Sequence, residues 1–176
     1  MSCATSMIEQ EADDGLAAAA IKYAPDVDRV VILSPDKDMS QLYGDPRIVG
    51  FDRRRSAFID TAGVWDKFGV APESIPDYLA LVGDTADGIP GLPGWGAKST
   101  SAVLGRYTHL ESVPASADDW DVKVRGAAKL AATLQANMEA AILYRDLATL
   151  RTDAEIPESL DDIAWKGAHR AAFTEL

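Results

Sequence analysis

Carboxylates recur in three short runs of the chain: Glu11, Asp13 and Asp14 in EADD, Asp36 and Asp38 in SPDKD, and Asp84 and Asp87 in VGDTADG. Carboxylates gathered at one place repel one another unless cations sit between them, and such hard oxygen donors select Mg²⁺ or Mn²⁺ rather than zinc. Two such ions about 4 Å apart form the clamp used for phosphodiester hydrolysis, in which water is the nucleophile and the metals stabilise the phosphate charge. Taken singly, each of these acids is by default a solvated surface charge, and EADD also suits the first turn of a helix, where acids are favourable. The metal reading therefore depends on the acids meeting in space.

A second chemical signal is GLPGWGAKST, residues 91–100. Its glycines can take positive φ and let the backbone approach another molecule. The helix that follows offers free N–H groups to a phosphate, with Lys98 as counter-charge. A turn of this kind between two helices grips a DNA backbone without reading its sequence. The competing reading is an ordinary Gly/Pro loop with Trp95 plugging the core, and spacing alone does not choose between them. A P-loop is excluded, because Gly94 is too near Lys98 for GxxxxGKS/T.

The elements that must position these residues follow from pattern. The alanine-rich run from Glu9 to Tyr23 predicts a helix. RVVILSP (29–35) predicts a fully buried, parallel strand, and Asp36 and Asp38 then lie beyond its carboxyl end, where open α/β sheets bind ligands. RIVGFD (47–52) and SAFID (56–60) predict two more strands joined by a tight tribasic turn at an edge. TAGVWDKFG predicts a short helix with Thr61 as N-cap and Gly69 as C-cap. PESIPDYLALVG starts a helix at Pro72, Lys98 to Arg106 forms another, Trp120 to Leu150 reads as two, DIAWKG (162–167) as a strand, and AHRAAFTEL (168–176) as a final helix.

The 176 residues, 47% hydrophobic, suffice for one domain with a small appended subdomain. No apolar run reaches the roughly 20 residues needed to cross a membrane, and no signal peptide is recognisable, so a cytoplasmic location is expected. Cys3 is the single cysteine, which excludes an internal disulfide or a cysteine-rich zinc site. His109 and His169 lack metal-ligand spacing and read as ordinary side chains. The net charge of −11 argues against nucleic acid only on average, since two bound dications would bring it to −7.

EADD, SPDKDMSQL and the block from Val64 to Thr100, in that order, resemble the 5′ nuclease family of 5′–3′ exonucleases and flap endonucleases, which includes the exonuclease domain of bacterial DNA polymerase I. The resemblance covers roughly residues 9–150. It implies a PIN-like α/β parallel-sheet nuclease domain followed by a helical helix-three-turn-helix DNA-binding subdomain. The expected division is 1–70 for the α/β part, 71–150 for the helical part, and 151–176 for a strand and helix returning to the α/β part. By the family motif, Glu11, Asp13, Asp14, Asp36, Asp38, Asp84 and Asp87 bind two Mg²⁺ (or Mn²⁺), with Asp36, Asp38, Asp84 and Asp87 catalytic. Gly91, Gly94, Gly96, Lys98 and Ser99 grip duplex DNA, with K⁺ on the turn's carbonyls.

Arg53–Arg55 and the basic residues Lys123, Arg125 and Lys129 are further candidates for phosphate contacts; a solvated face is the competing reading. The implied function is metal-dependent hydrolysis of DNA at 5′ ends, nicks or flaps. The alternatives are an inactive DNA-binding remnant and a structural protein without nucleic acid. Family members carry a first strand with a metal-binding aspartate and a basic helical arch ahead of EADD, where this sequence has only MSCATSMIEQ. The α/β domain is therefore expected to be truncated at its N-terminus, with an open sheet edge. Its partners are expected to be DNA, with a DNA polymerase or a second chain supplying the missing half as further candidates, and no membrane.

Overall fold

The computed structural model describes residues 11–167; Cys3, His169, the start of the first helix at Glu9 and the expected final helix lie outside them. Helix α1 (Ala12–Tyr23) leads to strand β1 (Val30–Ile32). A 3₁₀ segment over Asp38–Gly44 precedes β2 (Ile48–Asp52) and β3 (Ala57–Ile59). Six helices follow: α2 (Thr61–Phe68), α3 (Ile75–Val82), α4 (Ala97–Tyr107), α5 (Ala127–Ala136), α6 (Met138–Ala148) and the single turn α7 (Leu160–Ile163).

The sheet has order β1-β2-β3. β1 pairs parallel with β2, Val30 opposite Ile48, whereas β3 pairs antiparallel with β2, Phe51 opposite Phe58. The expectation of a parallel sheet thus holds for one pair only. The turn Arg53–Ser56 is too short for a parallel crossover, which takes a dozen or more residues. β1 is also shorter and less enclosed than RVVILSP predicts. With β2 as its neighbour on one side among the described residues, Val31 and Leu33 stay exposed.

Two helix boundaries differ in a physically clear way. The N-cap of α2 is Asp60, whose carboxylate accepts from the Gly63 N–H at 3.0 Å, while Thr61 sits inside the helix and donates its hydroxyl to the Tyr43 carbonyl at 2.6 Å. Asp is as good a cap as Thr, and the hydroxyl finds a second, tertiary use. α3 begins at Ile75, because Pro72–Ser74 forms a 3₁₀ turn ahead of it. DIAWKG does not form a strand: its first residues finish α7, and no sheet partner faces it among the described residues.

α3 is the axis of the molecule. Ile75, Leu79 and Leu81 are fully buried, and the helix packs on α6 and α4 as well as on the 3₁₀ segment after β1. Each such side chain contributes about 1.5–3 kcal/mol by leaving water. α3 also buries a charge, Asp77, only 1% exposed. His109 Nδ1 lies 2.9 Å from one of its oxygens, and the Arg145 guanidinium of α6 lies 3.5 Å from the other while holding Glu111 at 2.6 Å. Burial pushes the Asp77 carboxyl above its ordinary range, against the His109 bond and the Arg145 charge. Removing the cation strands a buried carboxylate, so Arg145→Ala is expected to lose roughly 3 kcal/mol in urea denaturation. A loss below about 1 kcal/mol would show that α3 and α6 do not depend on this tie.

After α6 the chain returns to α1. Lys22 donates its ammonium to the carbonyls of Ile156 and Glu158 at 2.7 and 2.8 Å, the Tyr23 hydroxyl donates to Glu158 O at 2.7 Å, and Arg151 N–H donates to Asp14 at 2.8 Å.

Candidate metal centre and nucleic-acid interface

The loop after β1 delivers Asp36 and Asp38. Asp36 accepts the Asp38 N–H at 3.1 Å and its own N–H donates to Ser34, a local turn that aims both carboxylates off the strand end. Asp87 arrives from the far side, on the loop that links α3 to the glycine turn. That loop is closed by Asp84 and Ile89, which exchange N–H···O bonds of 2.8 Å in both directions. One oxygen from each of Asp36, Asp38 and Asp87 falls within 4.8 Å of the others.

Like charges at that range oppose ionisation. Burial, then Asp36 and Asp87, push the Asp38 carboxyl up to about 7. Burial and Asp36 likewise raise Asp87, and burial with Asp36 and Asp87 raises Asp13, which places Asp13 within reach of the same field. One oxygen of Asp38 is buried with no hydrogen-bond donor among the described residues. Three mutually repelling carboxylates and an orphaned buried oxygen are a donor set that fits a hard divalent cation.

The remaining acids of the predicted set also have local partners, while Asp84 and Glu11 add to the field that raises Asp87. Asp84 is ion-paired to Lys37 and also accepts the Ala86 N–H at 3.1 Å; the bond to Lys37 holds its carboxyl below the usual range. Glu11 and Asp14 form the capping box of α1, and Asp14 also ties down Arg151. The sequence offered no signal for the Lys37–Asp84 pair, since the two residues are 47 positions apart.

The glycine turn has two sides. Trp95 is buried and its ring centroid lies 6.2 Å from that of Trp120, so it plugs the core. Gly91 faces inward as well: a Cβ there would stand 2.7 Å from the backbone of Val82 and Gly83. Gly96, by contrast, has nothing within 4 Å of its Cβ position, and it caps α4 together with Ser99, whose hydroxyl accepts from Gly96 N–H at 3.2 Å. Gly94, Gly96, Lys98 and Ser99 line an open hollow, closed on its other side by Lys123 and Arg125. Lys129, exposed on α5, is not part of its lining, and Arg53–Arg55 sit apart from it on the β2–β3 turn. The hollow thus combines free α4 N–H groups with three cations, the composition of a phosphate site. Among the described residues, no helix is long and apolar enough to cross a membrane.

Comparison with known proteins gives the family and the fold. Residues 70–171 match the family model described as 5′-3′ exonuclease, C-terminal SAM fold. The chain is 42% identical over 155 residues to DNA polymerase I of Pseudomonas aeruginosa, covering 87% of the chain and 17% of that protein. It is 31% identical to a 5′-3′ exonuclease of Buchnera aphidicola, covering 89% of the chain and 54% of the relative, so it spans little more than half of that protein and a smaller share of the polymerase. In fold it is similar to the bacteriophage T5 flap endonuclease solved as a pseudo-enzyme–product complex with DNA and metal ions (TM-score 0.67, 23% identity, 84% of this chain and 53% of that one). The family model spans more than half of the chain, from α3 and the glycine turn to the segment that returns to α1, and on that ground the protein belongs to the 5′-3′ exonuclease family.

Proposed function

We propose that this chain contributes the acidic metal centre and the duplex grip of a 5′–3′ exonuclease or flap endonuclease, hydrolysing DNA phosphodiesters at 5′ ends, nicks or flaps. The observation that carries the reading is the convergence of Asp36, Asp38 and Asp87 in a fold that also carries a basic hollow built on a helix N-terminus. Bound by these carboxylates, Mg²⁺ or Mn²⁺ would supply a lowered pKa for water and charge neutralisation on the phosphate.

The protein's own groups then have distinct tasks. Asp36, Asp38 and Asp87 hold the cations, with Asp13 near enough to join and Glu11 and Asp14 securing the start of α1. Asp84 orders the Asp87 loop and keeps Lys37 at the edge of the cluster, where its ammonium can exchange Asp84 for a phosphate oxygen. Lys98, Lys123 and Arg125 with the N–H groups at the start of α4 hold the duplex backbone, and Gly94 and Gly96 leave room for it. K⁺ on the turn's carbonyls belongs to the same proposal. So does the division at about residue 70, which is where the family match begins.

The test is cleavage of a 5′-labelled flap duplex in Mg²⁺ or Mn²⁺, with an Asp84→Ala/Asp87→Ala variant alongside and binding followed in the same samples. Cleavage is expected to fall at least 100-fold in the variant while duplex binding persists. Binding without cleavage by the wild type would instead favour an inactive DNA-binding remnant; neither binding nor cleavage would overturn the nuclease reading.

A further inference from the structure

A cleft of about 670 Å³ opens between the β2–β3 hairpin and the loop that follows β1, and Asp36 of the acidic cluster is among its lining residues. Its other charged lining residues are Asp52, Arg53, Arg54 and Lys67, three cations to one further acid. Asp52 is committed to the turn, accepting the N–H groups of Arg54 and Arg55 at 2.8 and 3.2 Å and pairing with the Arg55 guanidinium at 3.8 Å. Neither Arg53 nor Arg54 has an ion-pair partner among the described residues. Burial and the nearby Lys37 hold the Lys67 ammonium below its ordinary range.

Two hydroxyl-bearing side chains also line the cleft. Tyr43 and Ser40 are each 3% exposed, both line the cleft, and neither hydroxyl has a hydrogen-bond partner among the described residues. Tyr43 reaches this place only because position 50 is glycine: a Cβ on Gly50 would lie 2.5 Å from the tyrosine oxygen. Strand β2 therefore forgoes a side chain so that a hydroxyl can cross it. Both residues line the same cleft as Arg53 and Arg54, which lack ion-pair partners among the described residues, so hydroxyl donors and unpaired cations face one space.

We propose that this cleft is a phosphate subsite, occupied by a phosphate of the nucleic-acid strand next to the one held at the acidic cluster. The inference rests on the proposed nuclease reading. A phosphate accepts from hydroxyls and from guanidinium groups at once, and pairs with arginine bidentately. The sharing of Asp36 by cleft and cluster places this subsite directly along the strand from the metal centre.

Fluorescence anisotropy in EDTA at low salt, where no cleavage occurs, tests it with a duplex carrying a short 5′ overhang, 5′-phosphorylated or 5′-hydroxyl. Arg53→Ala/Arg54→Ala is expected to weaken binding at least 10-fold and to lower the slope of log K against log salt by about 1–2. Tyr43→Phe is expected to weaken it roughly 10-fold with the slope unchanged, because a neutral donor is lost. A loss confined to the phosphorylated probe identifies a terminal phosphate, and an equal loss on both identifies an internal one; either supports the subsite. Should Tyr43→Phe fail to fold, the arginine variant, altered only at an exposed turn, carries the test alone. Wild-type binding left unchanged by the arginine variant overturns the subsite and leaves the nuclease reading standing. Absence of wild-type binding to both probes, together with absence of cleavage in Mg²⁺, overturns the nuclease reading and the subsite with it.

Discussion

Asp38→Asn is expected to stabilise the metal-free protein at pH 8 by about 2 kcal/mol and to abolish its stabilisation by Mg²⁺. In the folded chain the Asp38 carboxyl titrates near 7, raised from an ordinary 3.8 first by burial and then by Asp36 and Asp87. A raised carboxyl pKa means that the folded state holds a proton the unfolded state has lost. The contribution is therefore fully present below about pH 3.8 and is lost as pH rises through 7. Each unit of difference is worth 1.36 kcal/mol, and solvent screening at this open cluster reduces the full value to about 2 kcal/mol. For a chain of this size that is about 4–8 °C in Tm.

A cation reverses the sign, because it binds the ionised carboxylates and stabilises the folded state by about 2.7 kcal/mol at one hundred times its Kd. Thermal melts at pH 4, 6 and 8, in EDTA and in Mg²⁺, separate the two effects. The wild type should lose stability with pH in EDTA and regain it in Mg²⁺, while Asp38→Asn should lose about 2 kcal/mol less with pH and gain nothing from Mg²⁺. A full Mg²⁺ shift in the variant would mean that Asp38 does not hold the cation.

Gly91→Ala is expected to cost about 4 kcal/mol or to prevent folding, whereas Gly96→Ala should stay within about 0.5 kcal/mol of the wild type. Two backbone passes cross at Gly91. Its φ is +71°, and a Cβ would sit 2.7 Å from the backbone atoms of Val82 and Gly83. Gly83, at φ +87°, meets Ile89 and Pro90 at 2.8–2.9 Å in the same way. The crossing is sealed by the Leu92 N–H donating to Leu81 O at 2.9 Å. Left-handed backbone costs a non-glycine residue about 1–3 kcal/mol, and overpacking against main chain costs about 1–3 more.

The crossing also sets the loop of Asp84 to Ile89, so the damage extends to the position of Asp87 and hence to metal affinity. Position 96 has extended backbone and open space around it, so alanine there is tolerated by the fold and obstructs only what approaches from outside. Urea denaturation of both variants, with duplex binding by Gly96→Ala as a second readout, distinguishes an inward glycine from an outward one. A Gly91→Ala protein as stable as the wild type would refute the crossing.

The order of the acidic runs and the glycine turn was legible in the sequence because both depend on local chemistry: acids placed just beyond a strand and a helix, glycines and proline ahead of a helix start. The helices α1 to α6 were legible for the same reason, as periodicity and breakers act over a few residues. Tertiary structure decided what those residues do. It turned one glycine inward and another outward, and gave Trp95 the core in a turn that still presents Lys98 to the hollow. It brought Asp36, Asp38 and Asp87 within 4.8 Å of one another, paired Asp84 with Lys37, and gave Glu11 and Asp14 a helix cap at the cluster's border. It also brought Lys123 and Arg125 to the glycine turn and lifted the Tyr43 hydroxyl over Gly50. These outcomes join residues far apart in the chain, and one-dimensional spacing holds no information about which distant charges or hydroxyls will meet.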